Sequence, residues 1–340
     1  MNNVPVGIVG LGVYLPDTFM TAKEISEATG GTWSEDAVIN KLGIRQKRIP
    51  SDKPCDGTQE MGALAALDCL KNTGIEPMEI DAILCFGEEW KEYPLTTSAC
   101  YIQERIGARR AWGIDVQNRC CTTVSAMKLA KDILLADDEC NTILVAGGYR
   151  NCDFIDFTDS GVSFMFNLGA GGGALILRKG YEKNQLLGTH IMTDGSVVHT
   201  CGSKVGGIVE PVTAENVSEF GMLRLMDSPK MKGMLNSTSM PNWYHCIDEA
   251  LRKSGMTRKD IGYLDILHIK RSGHKAMLAD LGLTEEQTIY LEDYGHIGQV
   301  DQILSLKLAL EQGKVKDGTV ISMIAAGIGY TWAANVIKWG

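Results

Sequence analysis

The chain has 340 residues, 44% hydrophobic and 22% charged, with no low-complexity tract, which is ordinary for a globular protein and enough to bury a large core. Its net charge of −9 argues against nucleic acid as a partner, because phosphate binding needs a surplus of Lys and Arg; an acidic partner docking on a local basic patch remains compatible. Ten cysteines without a Cys-x-x-Cys pair give no support to a structural zinc site, and in a chain this long they read mainly as small buried hydrophobes rather than a disulfide framework.

The N-terminal segment through Pro16 reads as a first strand and turn rather than a signal sequence, since it lacks a basic start and glycines interrupt its apolar run. Short apolar runs predict buried strands at Val6–Val9, Ala82–Phe86, Thr142–Ala146, Gly172–Leu177, Leu264–Leu267 and Val320–Ile324. Helical spacing predicts helices over Gln59–Lys71, Thr122–Leu135, Asn242–Ser254 and Val300–Glu311. This alternation argues for an α/β fold with buried sheets. The order of helix, turn and strand around Ile80–Leu84 returns around Leu264–His268, a repeat of half the chain rather than a solenoid period. The join is placed near residue 180, giving an N-terminal half of residues 1–180 and a C-terminal half of residues 181–340. The apolar stretch Val320–Ile337 is broken by Ser322, Thr331, Asn335 and two glycines, so it reads as strand, turn and strand; no membrane span and a cytoplasmic location are expected.

Residues 111–130, AWGIDVQNRCCTTVSAMKLA, predict a short strand, a turn at Gln117–Arg119 and then a helix, with Cys120 at the helix entrance. Backbone N–H groups and the helix dipole favour an anion there, and a thiol so placed is more readily a thiolate. Cys121 is the rival nucleophile.

The run DVQNRC resembles the nucleophile motif of the thiolase superfamily, nearest to β-ketoacyl-acyl-carrier-protein synthase III and the related HMG-CoA synthases. Further matches are GLGVYLP at Gly10–Pro16, LGIRQKR at Leu42–Arg48, TSACYIQERIGA at Thr97–Ala108, FNLGAGGGALIL at Phe166–Leu177, TDGS at Thr193–Ser196 and AGIGYTWAANVIKW at Ala326–Trp339, in order along nearly the whole chain. The resemblance implies a thiolase-like five-layered αβαβα fold from two similar halves, a homodimer, and a role of the kind that opens fatty-acid synthesis. Its register implies Cys120 as nucleophile and Cys121 as a packing residue.

The resemblance also implies His268 as catalytic, although Ile269-Lys270-Arg271 follow it where the family has Gln-Ala-Asn. His296 stands where synthase III has Asn, and a neutral imidazole can donate an N–H as Asn does. The oxyanion donors it implies are the N–H of Cys120 and one in the turn Gly327-Ile328-Gly329, with Ile328 in place of a family glycine. Glu89, two residues after Gly87, stands where HMG-CoA synthases carry a catalytic Glu; the bland reading is a solvated loop acid. Trp33 is the candidate for the family's adenine-stacking Trp, whereas the family's second clamp residue, an Arg, falls on Ser160. Lys230 and Lys232, with Lys270, Arg271 and Lys275, form a candidate basic patch for CoA phosphates or an acyl carrier protein; ordinary surface lysines are the alternative. The reaction so implied is acyl transfer from acyl-CoA to Cys120, then decarboxylative Claisen condensation with a malonyl thioester, with no metal or redox cofactor. The rivals are an HMG-CoA-synthase-like aldol condensation using Glu89 and a non-catalytic subunit of a heteromeric synthase.

Overall fold

The computed structural model describes residues 4–340. Nine strands form one mixed sheet: β1 (Val6–Tyr14), β2 (Ala82–Phe86), β3 (Trp112–Val116), β4 (Thr142–Tyr149), β5 (Gly171–Lys179), β6 (Gln185–Thr193), β7 (Tyr263–Ile266), β8 (Val320–Gly327) and β9 (Thr331–Lys338). Their spatial order is β7-β8-β9-β6-β1-β5-β4-β2-β3. The first five strands run β1-β5-β4-β2-β3 outward from the middle, and the last four repeat that plan as β6-β9-β8-β7. A lone parallel bridge from Leu264 to Thr288 occupies the place that β3 holds in the first set. The two sets meet at a single antiparallel bridge between Gly7 and Gln185.

Six longer helices complete the frame: α1 (Thr58–Thr73), α2 (Ser98–Ile106), α3 (Thr122–Ala136), α4 (Met240–Lys253), α5 (Arg271–Leu281) and α6 (Asp301–Glu311). Helices α3 and α6 lie between the two strand sets, α3 touching β2, β4 and β5 on one side and β6, β8 and β9 on the other. Helix α1 covers the outer face of β1, β4 and β5 with α2 beside it, and α4 covers the outer face of β6, β8 and β9. The result is five layers, αβαβα, with the buried faces of α3 and α6 forming the middle one.

That central layer explains the sequence pattern. Along α6, Ile303, Leu304, Leu306 and Ala309 are buried, as are the polar residues Asp301, Gln302 and Ser305. A helix buried on nearly every side through its first turns belongs in a core, even with polar residues among them. The predicted strands are present and mostly longer. Three elements that the sequence pattern did not signal are β6, whose QLLGTHIMT is only half buried, α2, a surface helix carrying exposed Cys100 and Tyr101, and α5. Among the described residues no helix is long and apolar enough to cross a membrane.

Candidate active site

Cys120 sits where β3 hands over to α3, at the entrance of a helix packed between the two strand sets. Arg119 before it takes a left-handed backbone with φ of 51°, a strained state for a residue with a side chain. The turn is braced locally. Thr122 Oγ1 accepts the Asn118 N–H at 2.8 Å and donates to the Arg119 carbonyl at 2.5 Å, while Asn118 Nδ2 donates to Ser125 Oγ at 2.7 Å. Asp115 of the DVQNRC run serves the fold rather than the chemistry. Its carboxylate accepts the N–H groups of Ser98 and Ala99 at 2.9 and 2.8 Å, capping α2.

Cys121 points the other way. It is fully buried, its thiol donates to the Thr331 carbonyl at 3.3 Å, and burial pushes its pKa well up. It is a packing residue, as its register implies.

The partner of Cys120 is His296. Its Nε2 lies 3.3 Å from Cys120 Sγ, and its Nδ1 lies 2.6 Å from Asp301 Oδ2. Asp301 is completely buried at the start of α6 and also accepts the N–H groups of Ile297, at 2.7 Å, and His268, at 2.8 Å. Burial alone would lower the His296 pKa, but the Asp301 charge, with Cys120 adding, outweighs it and raises the pKa to about 10. The imidazole is therefore held protonated beside the sulfur, in a Cys–His–Asp relay. The backbone around it is equally fixed: the His296 N–H donates to the Asn167 carbonyl and its carbonyl accepts the Gly169 N–H, both at 2.8 Å. Gly295, at φ 78°, packs so closely on Asn167 that a Cβ would come within 2.6 Å of that carbonyl oxygen. Thr123 Oγ1 donates to the Gln299 carbonyl at 2.6 Å, tying the nucleophile helix to the histidine loop.

His268 corrects the sequence expectation. It is buried, but both ring nitrogens are engaged away from the cysteine: Nε2–H donates to the Gly43 carbonyl at 3.2 Å, and Nδ1 accepts from Asn167 Nδ2 at 3.0 Å, a tautomer assigned from these partners. Burial lowers its pKa to about 4, so it is neutral. It does not line the cavity that holds Cys120. Its contribution to the site is its backbone N–H on Asp301.

The Cys120 cavity has about 790 Å³ of unfilled space connected to solvent. Its walls include Tyr149, Phe154, Met165, Leu168, Leu223 and Ile328, with Glu88, Glu89, Arg119 and Cys201 also contributing. Ile328 is thus placed as expected, in the β8–β9 turn. Gly327 beside it packs against the nucleophile: a Cβ there would lie 3.2 Å from the Cys120 nitrogen, a tight contact that a larger residue would have to push back.

The two glutamates divide differently from the sequence expectation. Glu89 is exposed and forms a two-pronged ion pair with Arg119, at 2.7 and 3.1 Å. Glu88 is the buried one, only 4% exposed, with Gln299 Nε2 donating to one oxygen at 2.8 Å and Asn151 Nδ2 to the other at 3.1 Å. Burial raises its pKa. A group that titrates in a cavity beside a nucleophile is the better acid–base candidate of the pair.

Three candidate ligand residues lie elsewhere. Trp33 packs edge-on against Phe166 at the rim of the core, with ring centroids 6.1 Å apart, and does not border the cavity. Arg271 stacks on Tyr290 at 4.2 Å and pairs with Glu292 in a separate polar cleft. Lys230 is exposed in a short helix, Ser228–Met234, and also lies off the cavity. Lys275 is paired with Glu285 at 3.0 Å, so the patch expected around residues 270–275 has its charge largely neutralised. Among the described residues no group of three or more His, Cys, Asp or Glu side chains is arranged to hold a metal.

Five layers, with a cysteine at the entrance of a central helix facing a histidine from the other strand set, define a cysteine-centred member of the thiolase superfamily. A family model described as 3-oxoacyl-[acyl-carrier-protein (ACP)] synthase III matches residues 114–195, and its C-terminal companion matches residues 251–339. A β-ketoacyl-[acyl-carrier-protein] synthase III of Azobacteroides pseudotrichonymphae is 25% identical over 341 residues, covering 100% of this chain and 99% of the relative. One from Rhodospirillum centenum is 28% identical over 338 residues, covering 98% of each. Among solved structures, the 3-oxoacyl-[acyl-carrier-protein] synthase III of Aquifex aeolicus superposes with a TM-score of 0.82 at 22% identity, covering 98% of this chain and 100% of that one, which shows the fold. The chain belongs to the 3-oxoacyl-[acyl-carrier-protein] synthase III-like family.

Proposed function

We propose that this chain is an acyltransferase that carries an acyl group as a thioester on Cys120 and joins it to a malonyl thioester by decarboxylative Claisen condensation. The observation that carries this reading is the relay Cys120–His296–Asp301 opening into a largely apolar cavity. It is supported by relatives named β-ketoacyl-[acyl-carrier-protein] synthase III.

In the first half-reaction Cys120, with the relay proton already on His296 Nε2, attacks the carbonyl of an acyl-CoA as the sulfur anion. The oxyanion is received by the Cys120 N–H and an N–H of the turn at Gly327-Ile328-Gly329, each such donor worth about 10²–10³ in rate. The departing thiolate takes the proton from His296. In the second half-reaction His296, reprotonated from solvent once the thiol has left, donates to the thioester carbonyl of the malonyl group. Carbon dioxide leaves, and the enolate carbon attacks the acyl carbon as the bond to sulfur breaks. The scheme uses no metal and no redox group.

An acyl carrier protein as malonyl donor, a cytoplasmic location and a homodimer belong to this reading. The dimer is supported by the edge strand β3, whose Trp112 and Ile114 are about half exposed beside fully exposed Leu95; apolar side chains on an unpaired strand invite pairing. An aldol-type condensation would need a carboxyl in the cavity, and Glu88 rather than Glu89 is placed for it. The test is to supply acyl-primed enzyme with malonyl or acetyl thioester and follow carbon dioxide and product mass. Product from malonyl alone, with one carbon dioxide released per product, is expected. Product from acetyl thioester without carbon dioxide would overturn the reading in favour of the aldol one.

A further inference from the structure

We infer that the acyl group on Cys120 has a second outlet: transfer to a hydroxyl acceptor bound in the same cavity, giving an ester. This inference rests on the Cys120 thioester of the reading above and goes beyond it. Three observations lead to it.

The first is the relay itself. Once the departing thiol has taken its proton, His296 is left with Nδ1–H on Asp301 and a bare Nε2 lone pair facing the acylated sulfur. A lone pair cannot donate to an enolate, but it can take a proton from O–H. An imidazole oriented by a buried carboxylate is the arrangement that moves a proton between two heteroatoms. Decarboxylative condensation needs no such base, because carbon dioxide leaves where a proton otherwise would.

The second is that His268 is committed. With Gly43 and Asn167 on its two ring nitrogens, it offers no N–H to a thioester carbonyl. The cavity therefore has one imidazole, which serves as donor when protonated and as base when neutral.

The third is Glu88. Arg119 at the cavity wall is already bound two-pronged by exposed Glu89, whereas Glu88 is buried and takes its hydrogen bonds from neutral amides. A carboxyl so placed accepts a hydrogen bond from a hydroxyl acceptor and disfavours an acceptor bearing its own carboxylate.

The step balances without a co-reactant. The hydroxyl oxygen attacks the acyl carbon as its proton passes to His296 Nε2. The carbon–sulfur bond then breaks, its electron pair goes to Cys120 sulfur, and Nε2 returns the proton, leaving an ester and a free thiol.

The experiment primes the enzyme with an acyl-CoA and confirms the acyl-enzyme by intact mass. Excess CoA is removed, and 1-butanol, benzyl alcohol, glycerol or malonyl thioester is added. Discharge at least about tenfold faster than in buffer, with ester formed mole for mole, is expected for at least one alcohol. The share of ester over condensation product should rise with pH, as Nε2 loses its proton. His296→Asn keeps an N–H donor but no base, so it should lower ester formation about 100-fold or more while reducing malonyl-dependent discharge much less. Acyl-enzyme that persists with every alcohol yet is discharged by malonyl, ester formation that survives His296→Asn, or release of free acid without ester would each overturn the inference and leave the condensation standing. A chain that never takes an acyl group at Cys120 removes both.

Discussion

Replacing Asp301 by Asn is the change that probes the relay most sharply, because it keeps the shape and removes one property. The carboxylate accepts three N–H donors, from His296 Nδ1, Ile297 and His268, within 2.6–2.8 Å in a completely buried place. An amide has one accepting end and one donating end, so its NH2 must face at least one of these donors. If it faces His296, the ring proton moves to Nε2 and the imidazole can no longer take the proton of Cys120. If it faces a backbone N–H, that buried donor is left unpaired at a cost of about 1–3 kcal/mol. Loss of a charge-assisted hydrogen bond of about 1.5–3 kcal/mol already slows the step ~10- to 100-fold, and a wrong tautomer in a comparable triad costs about 10⁴. We expect Cys120 acylation to slow by about 10²–10⁴ under single-turnover conditions, read by the time course of intact mass, with a cooperative thermal transition retained. The pH dependence should change with it. The parent holds His296 protonated up to about pH 10, so acylation that needs a proton for the leaving thiol declines only as pH rises through that value. Stability from the charged pair has the same sign: complete below about 6.5, the ordinary histidine value, and lost as pH rises through about 10. In the Asn variant the alkaline limb should move toward the ordinary value. Acylation within threefold of the parent, with an unmoved alkaline limb, would refute the relay.

The remaining expectations follow from burial and charge. Glu89→Gln removes an exposed ion pair worth about 0.2–1 kcal/mol and should change malonyl-dependent turnover only a few-fold, whereas Glu88→Gln should change turnover more strongly; equal and small effects in steady-state assays would argue against a role for Glu88. His268 and His274 are both buried and held neutral, with pKa values lowered to about 4, so the unfolded chain binds protons that the folded one refuses between about pH 6.5 and 4. Stability should therefore fall on acidification across that window, by ~3 kcal/mol for each histidine, and urea midpoints that stay level from pH 6.5 to 4.5 would contradict it. Trp112→Glu together with Ile114→Lys should shift the chain from dimer to monomer in sedimentation if β3 is the dimer edge; an unchanged sedimentation coefficient would place the interface elsewhere.

Much of the frame is legible in the sequence because buried strands advertise themselves as apolar runs, and β2, with five buried residues in a row, falls where AILCF predicts it. Strand β6 is harder: Gln185, Thr189 and His190 break up its apolar residues, and Gly188 interrupts it because Ala250 of α4 packs on that spot. The turn entering a helix makes Cys120 a candidate and the resemblance sets its register over Cys121; the structure points Cys120 into the cavity and Cys121 into the core. Of the histidines, His296 is reached through the resemblance, at the position of the family's Asn, and it is His268 that misleads. His268 ends a buried strand, which suggests chemistry, but its ring is claimed by Gly43 and Asn167, residues far away in sequence whose approach no local pattern encodes. Asp301 gave a signal that can be used: an acid that opens a helix carrying Ile303, Leu304, Leu306 and Ala309 toward the core, five residues after a histidine, has to find a buried donor. Glu88 gave none, because adjacent glutamates after a strand look alike until one is known to meet Gln299 and Asn151. The basic patch suggested by Lys270, Arg271 and Lys275 dissolves for the same reason, since Glu292 and Glu285 reach two of these cations from elsewhere.

The most direct measurement is peptide-level mass mapping of the intact chain after exposure to a panel of acyl-CoAs, with Cys120→Ala alongside. The expected result is a single acyl group per chain on Cys120, absent from Cys120→Ala and absent from Cys121. Cys201, which also borders the cavity but has its pKa raised to about 11 by burial, should remain free. An acyl group found on Cys201 or Cys121, or undiminished acylation of Cys120→Ala, would contradict the assignment of Cys120 as the carrier on which every later step depends.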